Sequence, residues 1–146
     1  KNFMKVATIG YDKINQLRHV RYFKNLAGVK AHMTKHASII EPKFAAVLDI
    51  LKEELQEASI ARWTNPSGGY FISFDTMKGC ASRAVQLCKD CGVVFTPAGA
   101  TYPYGEDPED SNIRIAPTFA GIEEIKTATR LFCIALKVVT AEALLA

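Results

Sequence analysis

The sequence predicts an α+β fold, in which a small and mostly antiparallel sheet carries helices packed on one face. Between Ile40 and Leu55, apolar residues recur at three- and four-residue steps, as they do on the buried face of a helix. Residues 112–116 instead alternate apolar and polar side chains, which is typical of a strand. Along the chain the segments follow in the order helix, strand, strand, helix, strand, strand, helix, which is an α+β order.

The first third of the chain is predicted to be helical. Residues 12–25 form the first helix, with Asp12 at its N-cap and Gly28 as the residue that ends it. A longer helical stretch runs from about residue 31 to residue 57. Pro42 interrupts this stretch, and because proline is tolerated in a first turn but costly inside a helix, it either starts a second helix or kinks one long helix.

The middle of the chain predicts two strands and a helix. The strands are residues 60–64 and 70–75, and the proline and glycines between them are typical of a turn. Asp75 or Thr76 is expected to cap a helix that runs to Cys91. Gly92 then occupies the position where a left-handed residue ends a helix.

The last third predicts two further strands and a final helix. Residues 93–96 form a strand, and residues 97–111 form a loop of a length that is often functional. The strand that carries Arg114 follows, and Thr118 or a neighbour caps the last helix. The buried stripe of that helix is predicted to contain Ile122, Ile125, Phe132, Leu136 and Val139.

Composition excludes several classes of function. The chain has 146 residues, 49% of them apolar and 23% charged, with a net charge of +3. Basic residues do not cluster with aromatic ones, so we expect no nucleic-acid partner. No apolar run approaches the roughly 20 residues of a membrane span, so we expect no membrane partner. The start has no apolar signal-peptide segment and no initiator methionine, which favours a chain that begins within a longer protein.

The cysteines and histidines do not predict a metal site. Cys88 and Cys91 form a Cys-x-x-Cys motif, but they continue an apolar stripe and are interpreted as small buried hydrophobes. No second cysteine pair exists for zinc. His32 and His36 are four residues apart without a third ligand, so we expect a solvated face. Reduced cysteines indicate a cytoplasmic protein.

Arg114 is the residue that most strongly suggests a function. It lies between Ile113 and Ile115, on the opposite face of an apolar strand. A half-buried guanidinium stays charged and needs a carboxylate or phosphate, usually held by two parallel hydrogen bonds. Three explanations stay open: an internal ion pair with an acid of the preceding loop, a side chain that reaches water, or a bound ligand.

Several motifs occur in an order that resembles the C-terminal portion of fold-type I pyridoxal-phosphate (PLP) aminotransferases. They are Pro66-Ser67-Gly68-Gly69-Tyr70-Phe71-Ile72, Gly92-Val93-Val94-Phe95-Thr96-Pro97-Ala98-Gly99, and the strand of Arg114. Within that family, residues 11–19 and 97–105 are most similar to the MocR-type, aspartate-aminotransferase-like branch. The resemblance covers nearly the whole chain.

The resemblance implies a substrate site. The family's strand arginine holds the α-carboxylate of the substrate, and Arg114 matches it. Tyr70, Gly99 and Tyr102 are further substrate-binding candidates, although Tyr70 could equally be a core residue and the two glycines before it an ordinary turn. Tyr104 is a weaker candidate for contact with the substrate or an interface. Lys5, Tyr11 and Arg18 could meet a distal carboxylate or the cofactor phosphate, but these three do not align residue by residue.

The resemblance also implies that parts of the enzyme lie outside this chain. No lysine here matches the cofactor lysine, so no catalytic or cofactor-binding residue is assigned and no bound PLP is expected. Residues 1–30 would precede the small domain, and residues 31–146 would form it. Since the family's chain crosses here from the large domain to the small one, we favour one bent helix through Pro42.

The predicted parent is a homodimeric PLP aminotransferase that moves an amino group from an amino acid, aspartate-like, to a 2-oxo acid. By itself the chain would be inactive and would need a missing N-terminal large domain. The alternative is the ligand-sensing domain of a MocR-type transcription regulator. A third reading is an independent interaction module, which predicts that Arg114 is paired within its own domain.

Overall fold

The computed structural model describes residues 11–146, which divide after Ile39 into two units, the second being Ile40–Ala146. In the described part of the first unit, helix α1 spans Lys13–Phe23, and helix α2 begins at Leu26. The Asp12 carboxylate accepts a hydrogen bond from the Asn15 N–H (2.9 Å), so the predicted N-cap is confirmed.

The expected end of the first helix is wrong. Helix α1 ends at Phe23, because Lys24 takes a left-handed conformation (φ 61°), and Gly28 lies inside α2. A Cβ atom on Gly28 would lie 1.9 Å from the carbonyl oxygen of Phe23. Glycine is therefore needed here because two backbone segments approach each other closely, and not because a helix ends.

Helix α2 spans Leu26–Leu55 without a break at Pro42, so the prediction of one helix is confirmed. Its buried residues from Ile40 onward lie at helical spacing and form one side of the core of the second unit. They are Phe44, Val47, Ile50, Leu51 and Leu55.

The sheet contains three strands in the described residues: β1 (Ala61–Trp63), β2 (Ile72–Thr76) and β3 (Asn112–Ile115). The order is β1-β2-β3, and both pairs are antiparallel. Ile72 lies opposite Ile115, and Phe74 lies opposite Ile113. Because paired residues of a sheet share a face, these four apolar side chains form one face, and Arg114 with its partner Ser73 lies on the other.

Helices α3 (Ala81–Asp90) and α4 (Ile122–Leu145) pack against each other and against the apolar face of the sheet. Phe74 of β2 meets Phe132 of α4 edge-to-face, with ring centroids 5.0 Å apart. The small sheet with helices on one face agrees with the predicted α+β class. None of the described helices has the length and apolar character needed to cross a membrane.

Residues 93–96 were predicted to be a strand, and this is wrong. They form no strand, and Val94 is 79% exposed. Val93 N–H donates to the Cys88 carbonyl, and the next backbone hydrogen bonds lie beyond the segment, from Ala100 to Pro97 and from Gly99 to Asn112. An extended segment becomes a strand only when a neighbouring strand forms backbone hydrogen bonds along its length. No described segment forms such bonds with residues 94–96.

The predicted helix starts also need correction. Thr76 is the last residue of β2, and α3 follows an N-cap at Cys80. Its capping acceptor comes from far along the chain: Asp110 Oδ1 accepts from the backbone N–H of Ser82 (3.0 Å). Helix α4 has its N-cap at Gly121 and not at Thr118.

Three smaller predictions about exposure and strand bounds are also wrong. Strand β2 begins at Ile72, two residues after the expected start at Tyr70. Ile122, predicted to be buried, is 38% exposed. Cys88 is buried as expected, whereas Cys91 is exposed.

Candidate functional site

Arg114 sits on the polar face of β3, opposite Ser73 of β2, and is half-buried. Its Nε atom is buried and has no hydrogen-bond partner among the described residues. No carboxylate within the described range lies within 4.0 Å of its guanidinium nitrogens. A buried guanidinium donor without an acceptor is unfavourable, and no described residue supplies one for this Nε.

Three acids of the preceding loop, Asp107, Glu109 and Asp110, bind other groups. Asp107 accepts from the backbone N–H groups of residues 109, 111 and 112. Glu109 pairs with Lys78 at 2.6 Å. Asp110 accepts from the Ser82 hydroxyl at 2.6 Å as well as from its N–H. The explanation of Arg114 by an internal ion pair with this loop is therefore not supported.

Arg114 lines an open groove of about 810 Å³. Its walls are the segment 92–96, the end of β3 with Ala116 and Pro117, and the first turns of α4. Two acids also line it, but Glu123 pairs with Lys126 (2.7 Å) and Glu124 accepts from the Gly121 N–H (3.3 Å). The positive N-terminal end of α4 and the Arg114 guanidinium favour an anion in this groove, whereas the charges of Glu123 and Glu124 oppose one.

A polar network around Asn112 fixes the strand that carries Arg114. The Asn112 amide donates to Ser73 Oγ (3.0 Å) and Asp75 Oδ1 (2.6 Å), and its Oδ1 accepts from the Thr101 hydroxyl (2.6 Å). Asp75, an acid on the same face of the sheet as Arg114, is thus bound to Asn112. Because Asn112 is buried and its amide is satisfied on both sides, β3 is held rigidly beside β2.

Asp107 holds the loop onto the start of β3, and its contribution should depend on pH. Hydrogen bonds from the backbone N–H of Ser111, and then of Asn112 and Glu109, lower the pKa of the Asp107 carboxyl below 3.8, while burial opposes them. Because the pKa of this carboxyl is lower in the folded than in the unfolded state, the ionised Asp107 stabilises the fold at any pH above the unfolded-state pKa. This stabilisation is lost as the pH falls through the folded-state pKa.

We therefore expect Asp107→Asn to lower the melting temperature at neutral pH, and the difference from the wild type to shrink as the pH falls from about 6 to about 2. Thermal unfolding followed by circular dichroism across this range measures the effect. Glu106→Gln is the matched control, because Glu106 is exposed and no described residue hydrogen-bonds its carboxylate. A pH-independent difference would contradict the assignment.

Lys43 of α2 holds the turn that leads into α4. Its Nζ donates to the carbonyl oxygens of Thr118 (2.9 Å), Phe119 (3.5 Å) and Ala120 (2.7 Å). This turn continues the wall of the groove from Pro117, and Ala120 lines the groove. Three carbonyl oxygens accept hydrogen bonds from one ammonium group, so Lys43 firmly connects two segments that are 75 to 77 residues apart in the chain.

Replacing Lys43 with methionine should destabilise the fold by about 1 kcal/mol, because partly buried carbonyls lose a charged donor while the apolar stem remains. Urea unfolding measures the change. Lys52→Met on the same helix is the control, since Lys52 is exposed and binds no carbonyl of this turn. Equal unfolding midpoints for the two variants would contradict the role of Lys43.

The other predicted substrate-binding residues do not line the groove. Gly99 has φ 76°, and a Cβ atom there would lie 2.6 Å from the Gly105 carbonyl oxygen, so the close approach that needs glycine is within its own loop. Its N–H donates to the Asn112 carbonyl at 3.2 Å. Tyr70 and Tyr102 are exposed at 55% and 39%, and Tyr104 is fully exposed.

The candidates of the first unit remain predictions, and of these Tyr11 and Arg18 are exposed. Tyr11 and Arg18 lie on or beside α1, and Lys5 lies outside the described residues. The His32 and His36 rings lie next to each other on α2, tilted by 54°, with centroids 4.4 Å apart. No group of three metal-ligating side chains occurs in the part of the chain that the structure describes.

The buried cysteines do not form a reactive site. Burial raises the pKa of the Cys88 thiol to about 11 and that of Cys133 to about 12. Burial also raises the pKa of Cys80, helped by the nearby Asp110 charge. Because the thiolate is the reactive form, these thiols are inert core residues at neutral pH.

Comparison with known proteins identifies the family. The family model described as aspartate amino-transferase matches residues 1–146, the whole chain. The chain belongs to this family. The predicted resemblance to aspartate-aminotransferase-like enzymes is thereby confirmed, while the MocR-type branch stays a prediction.

Individual relatives agree with the family. An aspartate aminotransferase of Corynebacterium glutamicum is 49% identical over 120 residues, which is 82% of this chain and 28% of that protein. The crystal structure of an aspartate transaminase from the same species superposes with a TM-score of 0.90 and 43% identity, over 97% of this chain and 34% of that one. An α-aminoadipate aminotransferase from Thermus thermophilus shares the fold alone, with a TM-score of 0.74 at 22% identity. The chain thus spans about a third of the length of these relatives.

Two residues near the site were not found from the sequence. Lys43 lies on an otherwise ordinary helix, and no local pattern indicates its contacts with residues 118–120. Phe71 lies with its ring centroid 4.4 Å from the Arg114 Cζ atom. Its position two residues before Ser73 could have indicated this contact, had the register of β2 against β3 been known.

Proposed function

We propose that this chain is the C-terminal, substrate-carboxylate-binding part of a PLP-dependent aminotransferase that acts on an aspartate-like amino acid and a 2-oxo acid. The observation that carries the proposal is the Arg114 guanidinium, which lines an open groove at the N-terminal end of α4 and has no acidic partner among the described residues. Membership of the aspartate amino-transferase family supports the reaction class.

In this proposal Arg114 binds and orients the substrate. A guanidinium and a carboxylate form two parallel hydrogen bonds, so one side chain fixes both the position and the rotation of the amino acid. Such orientation lowers the barrier of a reaction that must break a particular bond at Cα. The Asn112 network and the Lys43 contacts hold β3 and the groove wall, so the arginine is presented by a rigid framework.

The cofactor itself does not fit the described residues of this chain. The groove is lined by no lysine, and Arg114 is its single cationic side chain within the described range. PLP serves as an electron sink in amino-acid chemistry. We therefore propose that the lysine and the phosphate site belong to an N-terminal large domain, that residues 31–146 form the small domain, and that the chain alone is inactive. A homodimeric, cytoplasmic parent is part of the same proposal.

The test is to express the complete reading frame that encodes this chain and to assay transamination between aspartate and 2-oxoglutarate with added PLP. We expect turnover that depends on PLP, and none from the 146 residues alone. A parent without a cofactor lysine, or without turnover of any amino acid, would overturn the proposal. A fused winged-helix DNA-binding domain in an inactive parent would instead support the regulator.

A further inference from the structure

The ring of Phe71 lies over the guanidinium of Arg114. The distance from the Arg114 Cζ atom to the ring centroid is 4.4 Å, which is within the range of a cation–π contact. Phe71 is 48% exposed, so this contact occurs at the surface of the sheet and not in the core. A large aromatic side chain is thus half-exposed to water while its ring contacts a cation.

The position of Phe71 follows from the strand register. Ser73 pairs with Arg114 across β2 and β3, and Phe71 lies two residues before Ser73. Side chains two residues apart on extended chain share a face, so Phe71 is the diagonal neighbour of Arg114. The left-handed Gly69 (φ 92°) comes two residues earlier, where the chain turns into this segment.

The contact limits how Arg114 can bind a ligand. The donors of a guanidinium lie in its plane, and an aromatic ring over one face prevents water and ligands from approaching from that side. The Nε atom is already buried, so the Nη edge remains for an acceptor. Phe71 does not line the groove itself, so its ring supports the guanidinium without filling the space that an anion would occupy.

We propose that Phe71 is a positioning residue for the ligand of Arg114: its ring holds the guanidinium in one plane, so that the Nη edge meets a planar carboxylate in the groove. This inference rests on the proposed function in that the carboxylate is the substrate's. Phe71 acts through Arg114. The contact fixes the orientation of the guanidinium before the ligand binds, so less side-chain entropy is lost on binding.

The experiment uses the full-length protein loaded with PLP and compares Phe71→Leu with Phe71→Tyr. Leucine keeps an apolar side chain but removes the aromatic face, whereas tyrosine keeps the face. Two quantities are measured: KM and kcat for aspartate, and the Kd of succinate, a dicarboxylate without an amino group, by calorimetry. Phe119→Leu is the matched control, because its side chain is fully exposed and does not line the groove.

We expect Phe71→Leu to raise both KM and the succinate Kd by about two- to fivefold, the size of a half-exposed cation–π contact, with kcat nearly unchanged. Phe71→Tyr should stay close to the wild type, and so should the control. The inference is overturned if Phe71→Leu leaves KM and Kd unchanged, or if Phe71→Tyr is as impaired as Phe71→Leu.

Failure of the two proposals can be told apart. If the wild-type protein binds succinate, and Phe71→Leu weakens this binding, but no amino acid is turned over, then the proposed reaction is wrong and the role of Phe71 holds. If the wild-type protein turns over aspartate and Phe71→Leu changes kcat alone, the reaction holds and the positioning role is wrong. Absence of any carboxylate binding by the wild type would overturn both.

Discussion

Replacing Arg114 with lysine in the full-length enzyme should reduce kcat/KM for its amino-acid substrate by roughly 30-fold or more, and replacing it with alanine should cost up to several thousandfold. Lysine retains the positive charge, but an ammonium group cannot form two parallel, coplanar hydrogen bonds with a carboxylate. Steady-state kinetics with aspartate over a range of concentrations, together with succinate binding, measures the loss.

The matched control for this prediction is Arg83→Lys on helix α3. Arg83 is half-exposed and lies 3.6 Å from Glu142, so its replacement removes only a weak surface ion pair. Kinetics close to the wild type are expected for this variant. If Arg114→Lys retained full kcat/KM and succinate affinity, Arg114 would not bind a carboxylate, and the substrate role proposed for it would be wrong.

Replacing Phe74 with alanine should destabilise the fold by about 3–5 kcal/mol, the largest stability effect that we expect for a single change. Phe74 is fully buried in the central strand β2. Its ring stacks on Trp63 at 5.9 Å and meets Phe132 edge-to-face at 5.0 Å, so it connects two strands with helix α4. Alanine leaves a cavity between these elements that the surrounding side chains can only partly close.

Urea unfolding of the wild type and of Phe74→Ala measures this change, and Phe74→Leu is the conservative control, for which a smaller loss is expected because most of the volume is kept. Phe74 lies on the face of the sheet opposite to Arg114. Phe74→Leu should therefore leave the KM for the amino acid close to that of the wild type. A loss below about 1 kcal/mol for Phe74→Ala would show that the helices do not depend on this contact.

Much of the fold could be predicted from the sequence because its signals are local. The alternation around Arg114 and the helical spacing from Ile40 to Leu55 each depend on neighbouring residues alone, and both elements form. Residues 93–96 show the limit of this reasoning. They have the composition of a strand, but a strand also requires a partner that supplies hydrogen bonds, and that partner is not encoded locally.

The errors at helix boundaries have the same origin. Helix α3 starts at an N-cap at Cys80 and not at Thr76, because the acceptor that satisfies its first N–H groups is Asp110, which is 28 residues from Ser82 in the chain. A sequence shows which residues could cap a helix but not which distant acid reaches its end. Lys43 and Phe71 were missed for the same reason, since each acts on a segment that lies far along the chain.

By itself, the sequence determined that a permanent positive charge stands in an apolar strand, because the pKa of a guanidinium is too high for the charge to be lost. It also determined the family, through motifs carried in order along the chain. Only the tertiary structure decided that no acid among the described residues pairs with this charge. Asp107 is bound by backbone N–H groups of its own loop, whereas Glu109 is bound to Lys78 and Asp110 to Ser82. The last two contacts join segments that lie far apart in the chain, so no local pattern contains them.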